Sequence, residues 1–170
     1  MELTKLNVLI IIPARGGSKG IPRKNLRPVA GKPLIYYSIQ AALSAKLQAK
    51  VFVSTDDEEI GLLAERFGAS VLIRESNLAD DKTTLDPVIL DALNKIEGQT
   101  SECFDAILTV QPTSPLISPN DISGAYNQLM SEALDTVLTV VDDRHLCWSF
   151  DGDKPVPAYQ ERVNRQELPK

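Results

Sequence analysis

The chain has 170 residues, 43% of them apolar and 24% charged, with eighteen Lys and Arg against twenty-three Asp and Glu and a formal net charge of −5. That length supports one domain with a substantial core, and the acidic balance excludes a general nucleic-acid binder, which needs a basic face. The longest aliphatic run, residues 8–12, is far short of the ~20 residues that span a bilayer, and no small-residue cleavage site follows it, so the chain reads as soluble, cytoplasmic and free of membrane.

Residues 8–12 are uninterrupted aliphatics, the pattern of a strand buried on both faces. They run into Pro13-Ala14-Arg15-Gly16-Gly17-Ser18-Lys19-Gly20-Ile21-Pro22-Arg23-Lys24-Asn25. Five of the eighteen basic residues and none of the acidic ones lie in residues 15–27, which leaves thirteen basic against twenty-three acidic residues elsewhere. Gly16, Gly17 and Gly20 predict a loop whose amide N–H groups turn inward toward an anion, and the focused charge points to a polyphosphate. The glycines fit neither the Walker spacing nor the dinucleotide fingerprint.

Gly31-Lys32-Pro33 is expected to open a helix with proline in its first turn, followed by Leu34, Tyr37, Ser38, Ala41, Ala42 and Ala45 at helical spacing. Residues 51–54 read as a strand, and Thr55-Asp56-Asp57 as a helix cap with Glu58 and Glu59 placed for a capping box. That helix ends at Phe67 before Gly68. Residues 69–74 form a third strand, 75–82 a polar loop, and 85–96 a helix with Gly98 just beyond its end. Residues 105–110 form a fourth strand leading into Gln111-Pro112-Thr113-Ser114-Pro115, and Ser118-Pro119 starts a helix as N-cap and first residue. Residues 135–141 read as a fifth strand. Strands alternating with helices predict right-handed βαβ units, a mainly parallel sheet and helices on both faces, with the polar loops gathered at the carboxyl ends of the strands where such sheets bind ligands.

Past residue 141 the texture turns irregular, with prolines at 155, 157 and 169. Residues 1–141 therefore read as a nucleotide-binding α/β domain and 142–170 as an arm that leaves it to meet another subunit. Cys103 and Cys147, lacking C-x-x-C spacing, read as free, partly buried thiols. His145 is the only histidine, which excludes a histidine triad, and Trp148 with Phe150 reads as an apolar anchor of the arm.

The ordered blocks from Ile12 to Gly20, Lys24-Asn25, Ser54-Thr55-Asp56, Gln111 to Pro115 and Arg165-Gln166-Glu167-Leu168-Pro169 together resemble the acylneuraminate cytidylyltransferases, the CMP-nonulosonate synthetases. The resemblance implies a three-layer, doubly wound nucleotide-diphospho-sugar transferase-like fold with a protruding C-terminal dimerisation arm. It implies coupling of CTP to the anomeric hydroxyl of a sialic-acid-like nonulosonic acid, with release of pyrophosphate and the help of Mg²⁺, in a homodimer. Carried over by position, Arg15, Lys19 and Arg165 are the catalytic cations. Ala14, Gly16, Gly17, Ser18, Lys24, Asn25, Arg74, Thr83 and Thr84 contact the nucleotide, and Gln111, Thr113, Ser114 and Gln166 the sugar. Ile117 stands where the family pattern has arginine, which affects the sugar acid accepted.

Family members continue past the Arg165 block to a late Asp-x-Asp pair that binds magnesium. The expectation is therefore a C-terminally truncated synthetase that binds nucleotide, turns over poorly and holds no metal ligand of its own. The sister readings are a legionaminate, pseudaminate or 3-deoxy-manno-octulosonate nucleotidyltransferase, or one using another base. A non-catalytic nucleotide-binding subunit is the reading from a different class.

Overall fold

The computed structural model describes residues 6–79, 83–140 and 148–157. The chain divides into two compact units, Met1–Val137 and Leu138–Lys170. The first contains β1 (Val8–Pro13), a 3₁₀ turn (Lys24–Leu26), the short strands β2 (Pro28–Val29) and β3 (Lys32–Pro33), and α1 (Leu34–Leu43). It continues through β4 (Ala49–Thr55), α2 (Glu58–Arg66), β5 (Ser70–Ile73), α3 (Leu85–Thr100), β6 (Ala106–Thr109) and α4 (Pro119–Ser131). In the second unit β7 (Trp148–Asp151) and β8 (Lys154–Pro157) pair as an antiparallel hairpin. Gly152 has φ 58° at the first central position of its two-residue turn, the left-handed conformation that such a loop requires.

The sheet has the order β5-β4-β1-β6, with every pair parallel. β1 is its centre: Leu9, Ile10, Ile11 and Ile12 are fully buried. Side chains alternate across a strand, so the two halves of this run feed different layers. Ile10 and Ile12 pack with Ile35 and Ile39 of α1, Ile60 of α2 and Ile122 of α4, whereas Leu9 and Ile11 pack with Ala92 and Ile96 of α3. Each large aliphatic side chain buried this way contributes about 1.5–3 kcal/mol relative to its exposed state.

Topology explains the layering. The chain steps from β1 outward to β4 and β5, then returns past both to place β6 on the other side of β1. Right-handed crossovers put the helices of the outward steps on one face and α3, the helix of the return step, on the opposite face. The expected parallel, doubly wound sheet is therefore present.

Local signals set most helix ends. Asp57 is the N-cap of α2, its Oδ1 accepting from the Glu59 and Ile60 amides at 3.0 and 3.1 Å. The expected capping box does not form there, because the third helical residue is Ile60 and offers no carboxylate. It forms at α4 instead: Ser118 Oγ accepts from the Asp121 amide at 3.2 Å, and Asp121 Oδ2 accepts from the Ser118 amide at 2.8 Å.

Four expectations are corrected. Pro33 lies before α1 as its N-cap, at an extended ψ of 145° and paired in β3, not in the first helical turn. α3 runs through Gly98 to Thr100 and ends on Ser101 in the left-handed region, whose amide bonds to the Glu97 carbonyl at 2.8 Å. A helix-interior glycine costs about 1 kcal/mol, less than the burial of Ile96 in that same last stretch returns. Residues 135–140 form no strand, and Leu138 and Val140 are 79% and 86% exposed; β-branched residues favour a strand only with a neighbour to pair with. Cys103 is exposed rather than partly buried. His145, Cys147, the Trp148 side chain and the Arg165 block lie outside the described residues.

Bonds to the Ser118 backbone amide, then to its side chain, hold the Asp121 carboxyl below the ordinary aspartate range. A depressed folded-state pKa contributes stability above the unfolded value and loses it as pH falls through the folded one. Asp121→Ala is therefore expected to melt below wild type at neutral pH, with the gap closing in acid as the wild-type carboxyl protonates. Thermal melts of both chains across that range check it.

Candidate active site

The strand order reverses between β1 and β6, and in open parallel sheets the crevice at the carboxyl ends of such strands receives ligands. A cleft of about 560 Å³ occupies this place. The loop after β1 lines it with Arg15, Ser18, Lys19, Lys24 and Asn25. Arg74 enters after β5, Thr83 and Thr84 from the start of α3, and Gln111 and Thr113 after β6.

The loop after β1 is held by bonds to the end of β4. The Ala14 amide donates to the Ser54 carbonyl at 2.9 Å, and the Gly16 amide to Asp56 Oδ1 at 3.0 Å. Asn25 is 5% exposed and donates from Nδ2 to the Arg15 carbonyl at 3.0 Å, which closes the loop on itself. Arg23 sits in the left-handed region at φ 54° and reaches Asp57 Oδ2 at 3.3 Å and Glu59 Oε2 at 2.7 Å. These exposed ion pairs are worth roughly 0–1 kcal/mol each, so the backbone bonds carry most of the restraint.

The glycines act differently from the expectation. The Gly16 amide is engaged by the chain's own Asp56 carboxylate and is not offered to a ligand. Gly16 is required because a Cβ there would lie 2.6 Å from Asp57 Oδ2 and 2.8 Å from Asp57 Cβ. Gly17 and Gly20 have neither a positive φ nor an atom within 4 Å of an added Cβ.

Four cations line the cleft, Arg15, Lys19, Lys24 and Arg74, and no Asp or Glu among the described residues does. A concave site lined by one sign of charge concentrates ligands of the other sign, here in a chain that is acidic overall. The N-terminus of α3 adds its partial positive charge at the same wall. Thr84 is the N-cap of α3 but makes no side-chain cap bond, and the Thr83 hydroxyl donates to the Asn77 carbonyl at 3.2 Å.

Arg74 is the most buried of the four, its side chain 3% exposed. Its amide donates to the Thr55 carbonyl at 2.8 Å, which fixes the residue at the sheet edge of the cleft. Burial pushes its pKa down; Asp56 opposes that shift, Arg15 reinforces it, and Asp91 opposes it. The guanidinium stays protonated in any case, so the direction measures how costly its place is. Asp56 Oδ1 lies 3.8 Å from its Nη2, too far for a hydrogen bond, and its buried Nε has no hydrogen-bond partner among the described residues. An unpaired buried N–H at a cleft wall costs about 1–3 kcal/mol, a debt that a ligand acceptor would cancel.

Of the residues proposed from the sequence, Arg15, Ser18, Lys19, Lys24, Asn25, Arg74, Thr83, Thr84, Gln111 and Thr113 are brought to one cleft. Ala14, Gly16, Gly17 and Ser114 are not among its lining residues, and Arg165 and Gln166 lie outside the described residues. Sequence reasoning missed the apolar wall of Leu78, Leu85 and Val88. Val88 lies within the expected 85–96 helix without any sign of a ligand-facing role, and Leu78 carries no periodic signal. Magnesium fits the described residues poorly: it takes carboxylates and phosphate oxygens, the lining offers no carboxylate, and no acidic, histidine or cysteine cluster suited to a metal occurs among them.

The cytidylyltransferase family model matches residues 9–154. The pseudaminic acid cytidylyltransferase of Campylobacter jejuni is 40% identical over 123 residues, 72% of this chain and 53% of that protein. The CMP-N,N'-diacetyllegionaminic acid synthase of Legionella pneumophila is 42% identical over 121 residues, 71% of this chain and 52% of that one. The chain thus spans about half the length of each. A CMP:2-keto-3-deoxy-manno-octonic acid synthetase solved in complex with CTP superposes with a TM-score of 0.64 at 26% identity, over 75% of this chain and 48% of that one. With a match that begins inside β1 and runs through every element lining the cleft, the chain belongs to the cytidylyltransferase family.

Proposed function

We propose that the cleft binds CTP and transfers its cytidylyl group to the anomeric hydroxyl of a nonulosonic acid, giving a CMP-sugar and pyrophosphate. The observation that carries this reading is that one cleft is lined both by the cations Arg15, Lys19, Lys24 and Arg74 and by the apolar Leu78, Leu85 and Val88, in a chain of this family. Arg15 and Lys19 hold the triphosphate: the guanidinium can grip two oxygens and the ammonium acts as a compact charge. The nucleoside lies against Leu78, Leu85 and Val88, with the Arg74 Nε offered to a ring or ribose oxygen. Asn25, whose Nδ2 is committed to Arg15, keeps its carbonyl oxygen for the nucleotide. Gln111 and Thr113, across the cleft on the β6 side, face the sugar acid.

The sugar hydroxyl oxygen attacks the α-phosphorus in line as its proton passes to solvent, the bond from the α-phosphorus to the bridging oxygen breaks, and pyrophosphate leaves with its charge neutralised by Arg15, Lys19 and Lys24. Such catalysis is mostly positioning and electrostatic stabilisation, which fixed cations on a pinned loop can supply. Magnesium, when it accompanies CTP, would add charge neutralisation on the phosphates; the described residues give it no carboxylate ligand. The reading includes a cytoplasmic enzyme, a homodimer joined through residues 142–170, and contributions from Arg165 and Gln166. Among the described residues no helix is long and apolar enough to cross a membrane. The lack of a carboxylate among the described lining residues also favours a second reading, a subunit that binds nucleotide without turnover.

Thermal-shift titration with CTP, UTP, GTP and ATP is expected to show the largest stabilisation with CTP, since a ligand that binds only the folded state raises its melting temperature. Stabilisation by GTP and not CTP would overturn the base assignment. Pyrophosphate release with pseudaminic, legionaminic, N-acetylneuraminic or 3-deoxy-manno-octulosonic acid then separates the enzyme from the binding subunit. Lys19→Ala is expected to weaken binding of the triphosphate by about 1.5–3 kcal/mol, the range of a charge-assisted contact, while the apo melting temperature holds. Collapse of the apo fold would make Lys19 structural.

A further inference from the structure

We infer that Asp56 is a positioning residue for the nucleotide, acting through Arg74 on the nucleoside end while holding the glycine loop at the phosphate end. The inference rests on the reading of the cleft as a nucleotide site. Asp56 stands directly after β4, between the two loops that supply the cations. One oxygen, Oδ1, accepts the Gly16 amide at 3.0 Å and lies 3.8 Å from Arg74 Nη2. The carboxylate is thus bonded to the neutral backbone of one loop and faces the charge of the other.

This division of roles follows from what each partner needs. Gly16 requires only an acceptor, which any oxygen in that place supplies. Arg74 requires a negative charge, because its guanidinium is desolvated and Arg15 lies close enough to repel it. Asp91 supplies a second negative charge from α3, but its Oδ1 is engaged by Lys95 at 3.0 Å, and its buried Oδ2 makes no hydrogen bond. Of the two carboxylates Asp56 acts more strongly on Arg74, facing it at 3.8 Å, and among the described residues the Arg74 Nε has no hydrogen-bond partner and is left for a ligand. Without the charge, two mutually repelling arginines would share the cleft with weaker restraint on the buried one.

Asp56→Asn separates the two roles, since the amide oxygen can still accept from Gly16 while the charge facing Arg74 is gone. Calorimetric titration of the full chain with CTP and with inorganic triphosphate reads them out, with the substitution made in both the wild-type and Arg74→Ala backgrounds. Asp56→Asn is expected to weaken CTP about tenfold in the wild-type background and less than about twofold in the Arg74→Ala background. Inorganic triphosphate, which has no nucleoside for Arg74 to hold, is expected to bind as well as before or more tightly.

Equal losses for CTP and triphosphate would reduce Asp56 to a structural tether of the loop and overturn the inference. So would an undiminished CTP loss without Arg74, or unchanged CTP binding in Asp56→Asn. Failure of the wild-type chain to bind either ligand would overturn the reading of the cleft, and this inference with it. Asp56→Gln, whose side chain also carries an amide oxygen and no charge, is held to the same criteria, so a folding failure of one variant leaves the question decided by the other.

Discussion

The structure depends on one strand paired on both sides. β1 bonds in parallel to β4 and to β6, and its aliphatic run is buried against helices on both faces. Because β6 joins from a return crossover, the strand order reverses between β1 and β6, and the carboxyl ends of these two strands border the crevice. A parallel sheet brings the carboxyl ends of its strands to one edge, so residues as distant in sequence as Arg15, Arg74 and Gln111 share one cleft without any contact among distant helices being needed.

The electrostatic design separates cleft-lining cations from supporting carboxylates. The cations line the cleft, while Asp56 and Asp57 sit behind the first loop, bonding its backbone, capping α2 and pairing with Arg23. This placement keeps the cleft positive and still compensates the cost of gathering like charges in a small volume. It also explains why two adjacent aspartates do different work. Asp57 faces the α2 amides and packs against Gly16 where no Cβ fits, whereas Asp56 faces inward to Arg74.

Much of this was legible because the signals were local. The aliphatic run of β1, the Ser118-Pro119 start of α4 and the stop at Gly68 each follow from a few neighbouring residues, and the structure contains all three. Failures came where a local signal met a non-local requirement. Residues 135–140 have strand composition but no strand pairing among the described residues, and Gly98 reads as a stop although Ile96 keeps the helix packed. At the site, residue type and motif order brought ten of the expected residues to one cleft, yet the Gly16 amide turned out to be committed to Asp56. No sequence spacing announces that bond, since it joins residues 40 apart. The apolar wall was hidden for the same reason, because Leu78 acquires a partner surface only when α3 folds across the sheet.

In the proposed reading, Arg15 and Lys19 take the triphosphate while Leu78, Leu85 and Val88 take the base. A crystal structure of the chain with CTP bound tests it most directly. The account predicts phosphate oxygens within hydrogen-bonding distance of Arg15 and Lys19, the cytosine ring against Leu78 and Val88, and an acceptor of the nucleoside on the Arg74 Nε. CTP ordered outside this cleft, or bound in it with the base on Lys19 and the phosphates at Val88, would contradict it.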